Sequence, residues 1–199
     1  MDRRSIIDDI KSRIIARLKE ELPDTLLYHV PEHTIDVYEK VRFLGTEEGV
    51  SEEDIQLLEI AALYHDVGFI ERYDNNEEIG ARIAGEELPE LGFNQEEINT
   101  IKNIIMATKM PHNPNTLLEK IICDADLDNL GREDFYIQTE LLRLELAKNG
   151  INVSPRQWYA INLPKLFEMH QYFTETAKRL RNPLKEKHLD EILELVGEK

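Results

Sequence analysis

The sequence predicts an all-α fold, a single multi-helix bundle, on three observations. Apolar residues recur at three- and four-residue spacing in almost every segment. No run of five residues alternates apolar and polar as a half-buried strand would. Clusters of Gly, Pro and Asn, several followed by acidic capping patterns, cut the chain at helix-sized intervals.

The elements follow in order. Ile6, Ile7, Ile10, Ile14 and Leu18 form a first helical stripe that ends near Pro23. Pro31, suited to a first helical turn, opens a second helix with His33, Val37, Val41 and Leu44 on one face. That helix is expected to stop before a Gly45–Gly49 loop. Ser51-Glu52-Glu53-Asp54 starts the third, which carries Ile55, Leu58, Ala62 and His65 and is closed by Gly68. After a polar turn from Arg72 to Asn76, residues 77–88 are amphipathic and break at Pro89. Asn94 to Glu97 begins the helix of Ile98, Ile101, Ile104 and Ile105. Residues 109–115 are a loop with two prolines. Thr116 and Glu119 form a capping-box pattern for a helix that runs through Cys123 and Asp128 to Gly131. Three further helices are expected around 134–149, 154–180 and 184–196. The organisation is an N-terminal helix (1–25), a central core (26–131) and C-terminal helices (132–199) completing the same domain.

Composition narrows the function. The chain has 199 residues, 41% hydrophobic, with 24 Lys+Arg against 40 Asp+Glu and a formal net charge of −16. Such a field repels a nucleic-acid polymer and an anionic membrane, but leaves room for a small anion in a pocket with its own cations. One cysteine, Cys123, excludes an internal disulfide and a CxxC zinc knuckle. No apolar run has the length of a signal peptide core or a membrane span, so a cytoplasmic protein is expected.

Several polar residues sit where the pattern reads as core. His65 and Asp66 follow the almost wholly apolar Ile60-Ala61-Ala62-Leu63-Tyr64, and Asp124 and Asp126 follow Ile121-Ile122-Cys123. A buried ionised carboxylate is costly unless paired or bound to a metal. His33 faces the same way as Val37 and Val41. Two histidines and one or two aspartates from three helices would make a nitrogen/oxygen site suited to a first-row ion or Mg²⁺. Asp128 reads as part of a solvated acidic face, and His170 and His188 as structural or exposed. Trp158, Tyr159, Phe167, Tyr172 and Phe173 read as a core or homodimer stripe.

The series His33 … His65-Asp66 … Asp126 resembles the H…HD…D set of the HD-domain superfamily of metal-dependent phosphohydrolases. Tyr28-His29-Val30-Pro31-Glu32-His33 with Asp36-Val37 is similar to the YHxxxHxxDV segment of several branches, the cyclic-nucleotide phosphodiesterases included. Ala61-Ala62-Leu63-Tyr64-His65-Asp66-Val67-Gly68 is similar to the central helix, and Asp124-Ala125-Asp126-Leu127-Asp128-Asn129-Leu130-Gly131 to the last motif. The resemblance covers about residues 26–131.

It implies that His33, His65, Asp66 and Asp126 hold one divalent ion (Mn, Fe, Ni, Co, Zn or Mg), with Asp66 also counted among the catalytic groups. Asp124, about 200° around the helix from Asp126, is the alternative or an orienting neighbour. His29 matches the histidine that protonates the leaving oxygen. Lys109 and Arg132 are candidate phosphate binders. His112 is a candidate for a weak second ion, with Glu77 or Glu78. Many family members place a His-Glu pair where this chain has Asn75-Asn76-Glu77-Glu78, which argues against two tightly held metals. The implied activity is hydrolysis of a phosphomonoester or phosphodiester of a small molecule, a nucleotide first. A nucleotide-sensing module without turnover and a di-iron oxygenase are the alternatives.

Overall fold

The computed structural model describes residues 2–197. Among them there are helices and turns but no strand, as the periodicity predicts. Helix α1 (Arg3–Glu21) buries Ile7, Ile10, Ile14 and Leu18. Helix α2 (Pro31–Glu47) buries Val37, Val41 and Leu44. Helix α3 (Glu52–Tyr64) is buried on nearly every side and packs against α1, α2 and α5 (Gln95–Ala107). A helix so enclosed must lack charge or pair it. Its one charged core residue, Glu59, accepts hydrogen bonds from Arg4 at 2.6 Å and Arg42 at 2.7 Å.

After α3 the chain makes a 3₁₀ turn (Val67–Ile70) and enters α4 (Asn76–Glu87). Two glycines set that junction. A Cβ on Gly68 would lie 1.9 Å from the Asn76 carbonyl oxygen, and one on Gly80 would lie 2.4 Å from that of Tyr64. The start of α4 can therefore lie directly on the end of α3. Capping boxes at Asn94 and Thr116 open α5 and α6 (Leu117–Asp126). Together α1 to α6 enclose the larger apolar core.

The C-terminal third comprises α7 (Phe135–Lys148), a short α8 (Pro155–Gln157) leading into a π-helical turn (Trp158–Asn162), α9 (Leu163–Met169) and α10 (Glu175–Val196). Leu130, Phe135, Trp158, Leu163, Phe167 and Ile192 form a second core there.

Three boundaries differ from expectation. Helix α2 does not stop at Gly45 but passes through it, because that glycine packs on Ile55, where a Cβ would come within 3.1 Å. The expected helix 154–180 is interrupted between Met169 and Glu175, where the backbone N–H groups of Phe173 and Thr174 turn to the buried Asp124 carboxylate. Pro183 does not divide the last helix. Its lost bond would have gone to the Arg179 carbonyl, on an exposed flank where water can serve that acceptor.

Candidate metal centre

Three helices deliver the central groups. His33 stands in the first turn of α2, His65 and Asp66 at the C-terminal end of α3, and Asp126 at the end of α6. One ligand atom from each of His33, His65 and Asp66 lies within 4.8 Å of the others. The His33 Nε2 is 3.0 Å from Asp126 Oδ1 and 3.6 Å from Asp66 Oδ2. The His65 Nε2 is 3.2 Å from Asp66 Oδ2 and 3.5 Å from Asp126 Oδ1. Ligands held about 2.1 Å from one ion at roughly tetrahedral to octahedral angles lie about 3.0–3.4 Å apart. Two of the four separations, 3.0 and 3.2 Å, fall in that range, and the other two, 3.5 and 3.6 Å, lie just above it.

Local hydrogen bonds set the ring states. The Nδ1 of His65 donates to the Ala62 carbonyl at 2.7 Å, which turns Nε2 toward the carboxylates. That nitrogen and Asp66 Oδ2 are both buried and have no hydrogen-bond partner. A ring nitrogen and a carboxylate oxygen so close need a proton or a metal cation between them. Electrostatics shows the same demand. Burial depresses the His65 pKa, but Asp66 and Asp126 outweigh it and raise it well above the ordinary imidazole value. Burial likewise opposes ionisation of Asp126, yet His33 and His65 hold its carboxyl well below the usual range. The donor set fits a divalent ion. Asn76 Nδ2 donates to the outer oxygen of Asp66 at 3.2 Å and fixes its rotation.

His29 lies beside this cluster, its ring centroid 5.8 Å from that of His33 and 4.4 Å from that of Phe69. Its Nδ1 meets Glu145 Oε1 at 2.5 Å. The other oxygen of Glu145 accepts from the backbone N–H groups of Leu27, Tyr28 and His29 at 2.9–3.0 Å, and Tyr73 donates to Oε1 at 3.0 Å. Burial works against the His29 imidazolium, but the Asp66 and Glu145 carboxylates prevail and raise its pKa. With Nδ1 committed to Glu145, only Nε2 remains for other chemistry. Glu145 is a site residue that the motifs do not mark. The one signal was its register: it continues the buried positions Phe135 and Thr139 and the partly buried Leu142 along α7, where a carboxylate is out of place.

Two cavities meet at the cluster, and Tyr28, Asp126 and Asn129 line both. One, of about 230 Å³, is mostly apolar and carries His29, Asp66, Phe69 and Glu77. The other, of about 360 Å³, is polar and carries His33, Asp36 and Arg132.

The family model of the HD domain matches residues 30–128, the segment that holds His33, His65, Asp66 and Asp126. The chain is an HD-domain protein. Its fold is similar to that of a predicted HD superfamily hydrolase from an uncultured Thermotogales bacterium, at 20% identity and a TM-score of 0.62, covering 94% of this chain and 91% of the other. It is also similar to the Lin1889 protein of Listeria innocua (19% identity, TM-score 0.68, 98% and 96% covered). Bacillus subtilis YpgQ, solved in complex with ADP, is similar at 19% identity and a TM-score of 0.66, with 96% and 97% covered. No curated protein matches the chain. No helix among the described residues is long and apolar enough to cross a membrane.

Several residues singled out by the sequence lie elsewhere in or around the HD domain. Asp124 does not orient a ligand: its carboxylate accepts from Phe173 N, Thr174 N and Thr174 Oγ1 at 2.7–2.8 Å, and burial lifts its pKa to about 6. Asp128 is not solvated but buried, held by Arg181 at 2.6 and 3.1 Å. Lys109 is turned outward to Asn75 and Glu78, at 2.9 and 2.8 Å, which takes Glu78 away from the cluster as well. His112 donates from Nε2 to the Thr108 carbonyl at 3.1 Å, and burial lowers its pKa. Glu77 is half-buried in the apolar cavity wall, its pKa raised by burial. Arg132 reaches the polar cavity, with its guanidinium shared among Asp134, Asp36 and Asp128. His170 and His188 are both buried.

Proposed function

We propose that this chain is a metal-dependent phosphohydrolase that cleaves a phosphomonoester or phosphodiester of a small molecule, a nucleotide first. The observation that carries the reading is the pair of buried, unpartnered ligand atoms, His65 Nε2 and Asp66 Oδ2, facing His33 and Asp126. A divalent cation held by these four side chains would neutralise phosphoryl oxygens and lower the pKa of a reacting water. The residues around it have separate tasks. Glu145 fixes the His29 ring through Nδ1 and favours its charged form, so that Nε2 can give a proton to the departing oxygen. Tyr28 and Phe69 flank the two imidazoles and keep bulk water from them. Arg132, at the edge of the polar cavity, offsets some of the negative charge that a phosphate meets there.

Metal content and turnover test the proposal together. Protein purified without chelator is expected to hold about one transition ion per chain, and His65→Ala or Asp66→Ala to lose it. Nucleotides and simple phosphate esters screened with Mn²⁺, Co²⁺, Ni²⁺ and Mg²⁺ should release phosphate or nucleoside monophosphate. Retention of the ion in both variants defeats the ligand assignment. Nucleotide binding without turnover by the loaded protein makes the chain a sensing module.

A further inference from the structure

We infer that the apolar cavity beside His29 receives the leaving-group half of the substrate, an uncharged alcohol of nucleoside size, and that Leu142 and Leu166 select it. The inference rests on the phosphohydrolase reading and adds to it which bond is broken and which helices choose the substrate.

The two cavities differ in what faces them. His29, the proton donor of the reading above, lines the apolar one, whereas His33 and Arg132 line the polar one. A leaving oxygen protonated by His29 must therefore depart into the apolar cavity. No lysine or arginine lines that cavity, and its ionisable groups other than His29 and Tyr28 are the carboxylates Asp66, Glu77 and Asp126. A phosphate anion leaving from an anhydride would be pushed against Glu77 with no cation to receive it. An alcohol leaves neutral.

The balanced step is the hydrolysis of an ester. The water oxygen bonds to phosphorus, and the bond from phosphorus to the ester oxygen breaks. That oxygen takes the Nε2 proton of His29. One hydrogen of the water stays on the product phosphate, and the other returns through solvent to His29.

The walls describe the alcohol. Phe69 is an aromatic part of the wall, Leu142 and Leu166 are apolar and only partly buried, and Thr108, Asn76 and Asn129 supply a few polar edges. Apolar walls with sparse polar groups suit a flat ring system bearing hydroxyls. The Asn129 Oδ1 is a buried acceptor with no partner, on a residue that lines both cavities. Leu142 belongs to α7 and Leu166 to α9, both outside the segment that matches the HD family. Metal binding and substrate choice would then reside in different parts of the chain.

The test compares AMP and cyclic AMP with glycerol phosphate and with the anhydride bond of ADP, using Mn²⁺-loaded protein. The nucleoside esters are expected to exceed glycerol phosphate by about tenfold or more in kcat/KM, with ADP cut at its anhydride slowly or not at all. Leu142→Ala and Leu166→Ala should each lower the ratio of AMP to glycerol phosphate by about tenfold, through KM, and Leu142→Met should keep it. Melting temperature and metal content show whether each variant is folded. Preferential anhydride cleavage, or ratios unmoved in folded variants, overturns the inference. Binding supplies a separate readout. Trp158, the single tryptophan, donates to Thr139 Oγ1 at 3.1 Å, and Thr139 lines the cavity, so adenosine should change its fluorescence. If no ester is turned over, the enzymatic reading fails. Adenosine binding weakened by Leu142→Ala would still support the cavity assignment, and absent binding would overturn it.

Discussion

Glu145 and His29 behave as one unit only if the carboxylate acts through the ring it holds. Glu145→Gln is expected to leave metal content intact and lower kcat by about 10²-fold, with KM little changed. The double variant with His29→Ala should be no slower than His29→Ala alone, which steady-state kinetics can read. His170 presents a different chemistry. Its ring is buried with neither nitrogen partnered, and burial, with Lys185 and His112 nearby, lowers its pKa from 6.5 to about 3. The unfolded chain therefore takes up this proton first. Stability from the neutral ring is complete above pH 6.5 and drains away as pH falls toward 3. At pH 5 the loss is about 2 kcal/mol, and His170→Phe should flatten that slope in urea melts run across pH. His33, His65, Asp66 and Asp126 were legible as a set because each carries a polar group into an apolar helical register. Glu145 was not, since its partners Leu27, Tyr28 and His29 lie over a hundred residues away and no short motif encodes such a distance.

At the scale of elements, local pattern located the helices, and remote contacts moved their ends. Apolar spacing and capping residues marked α1, α5 and α6 closely, because those signals act within one or two turns. The interruption before α10 was hidden because it depends on Asp124, some fifty residues upstream, receiving two backbone N–H groups and a hydroxyl. Asp124 thus holds Thr174, whose hydroxyl caps α10 by accepting from the Ala177 N–H, although it stands two positions from Asp126. Asp124→Ala should cost about 1–3 kcal/mol in a denaturant melt, since it leaves buried donors unmatched, while metal content stays normal. Asp126→Ala should do the reverse to metal content. Gly68 admits no such latitude, with the Asn76 carbonyl occupying the place of any side chain. Asn76 in turn steadies Asp66, so the glycine holds that carboxylate in register through the start of α4.

Across the whole molecule, two cores share the labour: α1 to α6 carry His33, His65, Asp66 and Asp126, and α7 to α10 close over them and bring Glu145, Leu142 and Leu166. The buried pairing of Glu59 with Arg4 and Arg42 ties the first of these cores to its N-terminal helix. That tie bears on how the protein can be handled at the bench. A shortened version beginning at Leu26 would strip Ile7, Ile10, Ile14 and Leu18 from the back of α3 and leave Glu59 with one guanidinium in place of two. Residues 1–25 carry six basic and six acidic side chains, so such a fragment keeps the net charge of −16, yet its bared apolar face is expected to make it precipitate or form soluble clumps in light scattering, whereas the 199-residue chain stays dispersed.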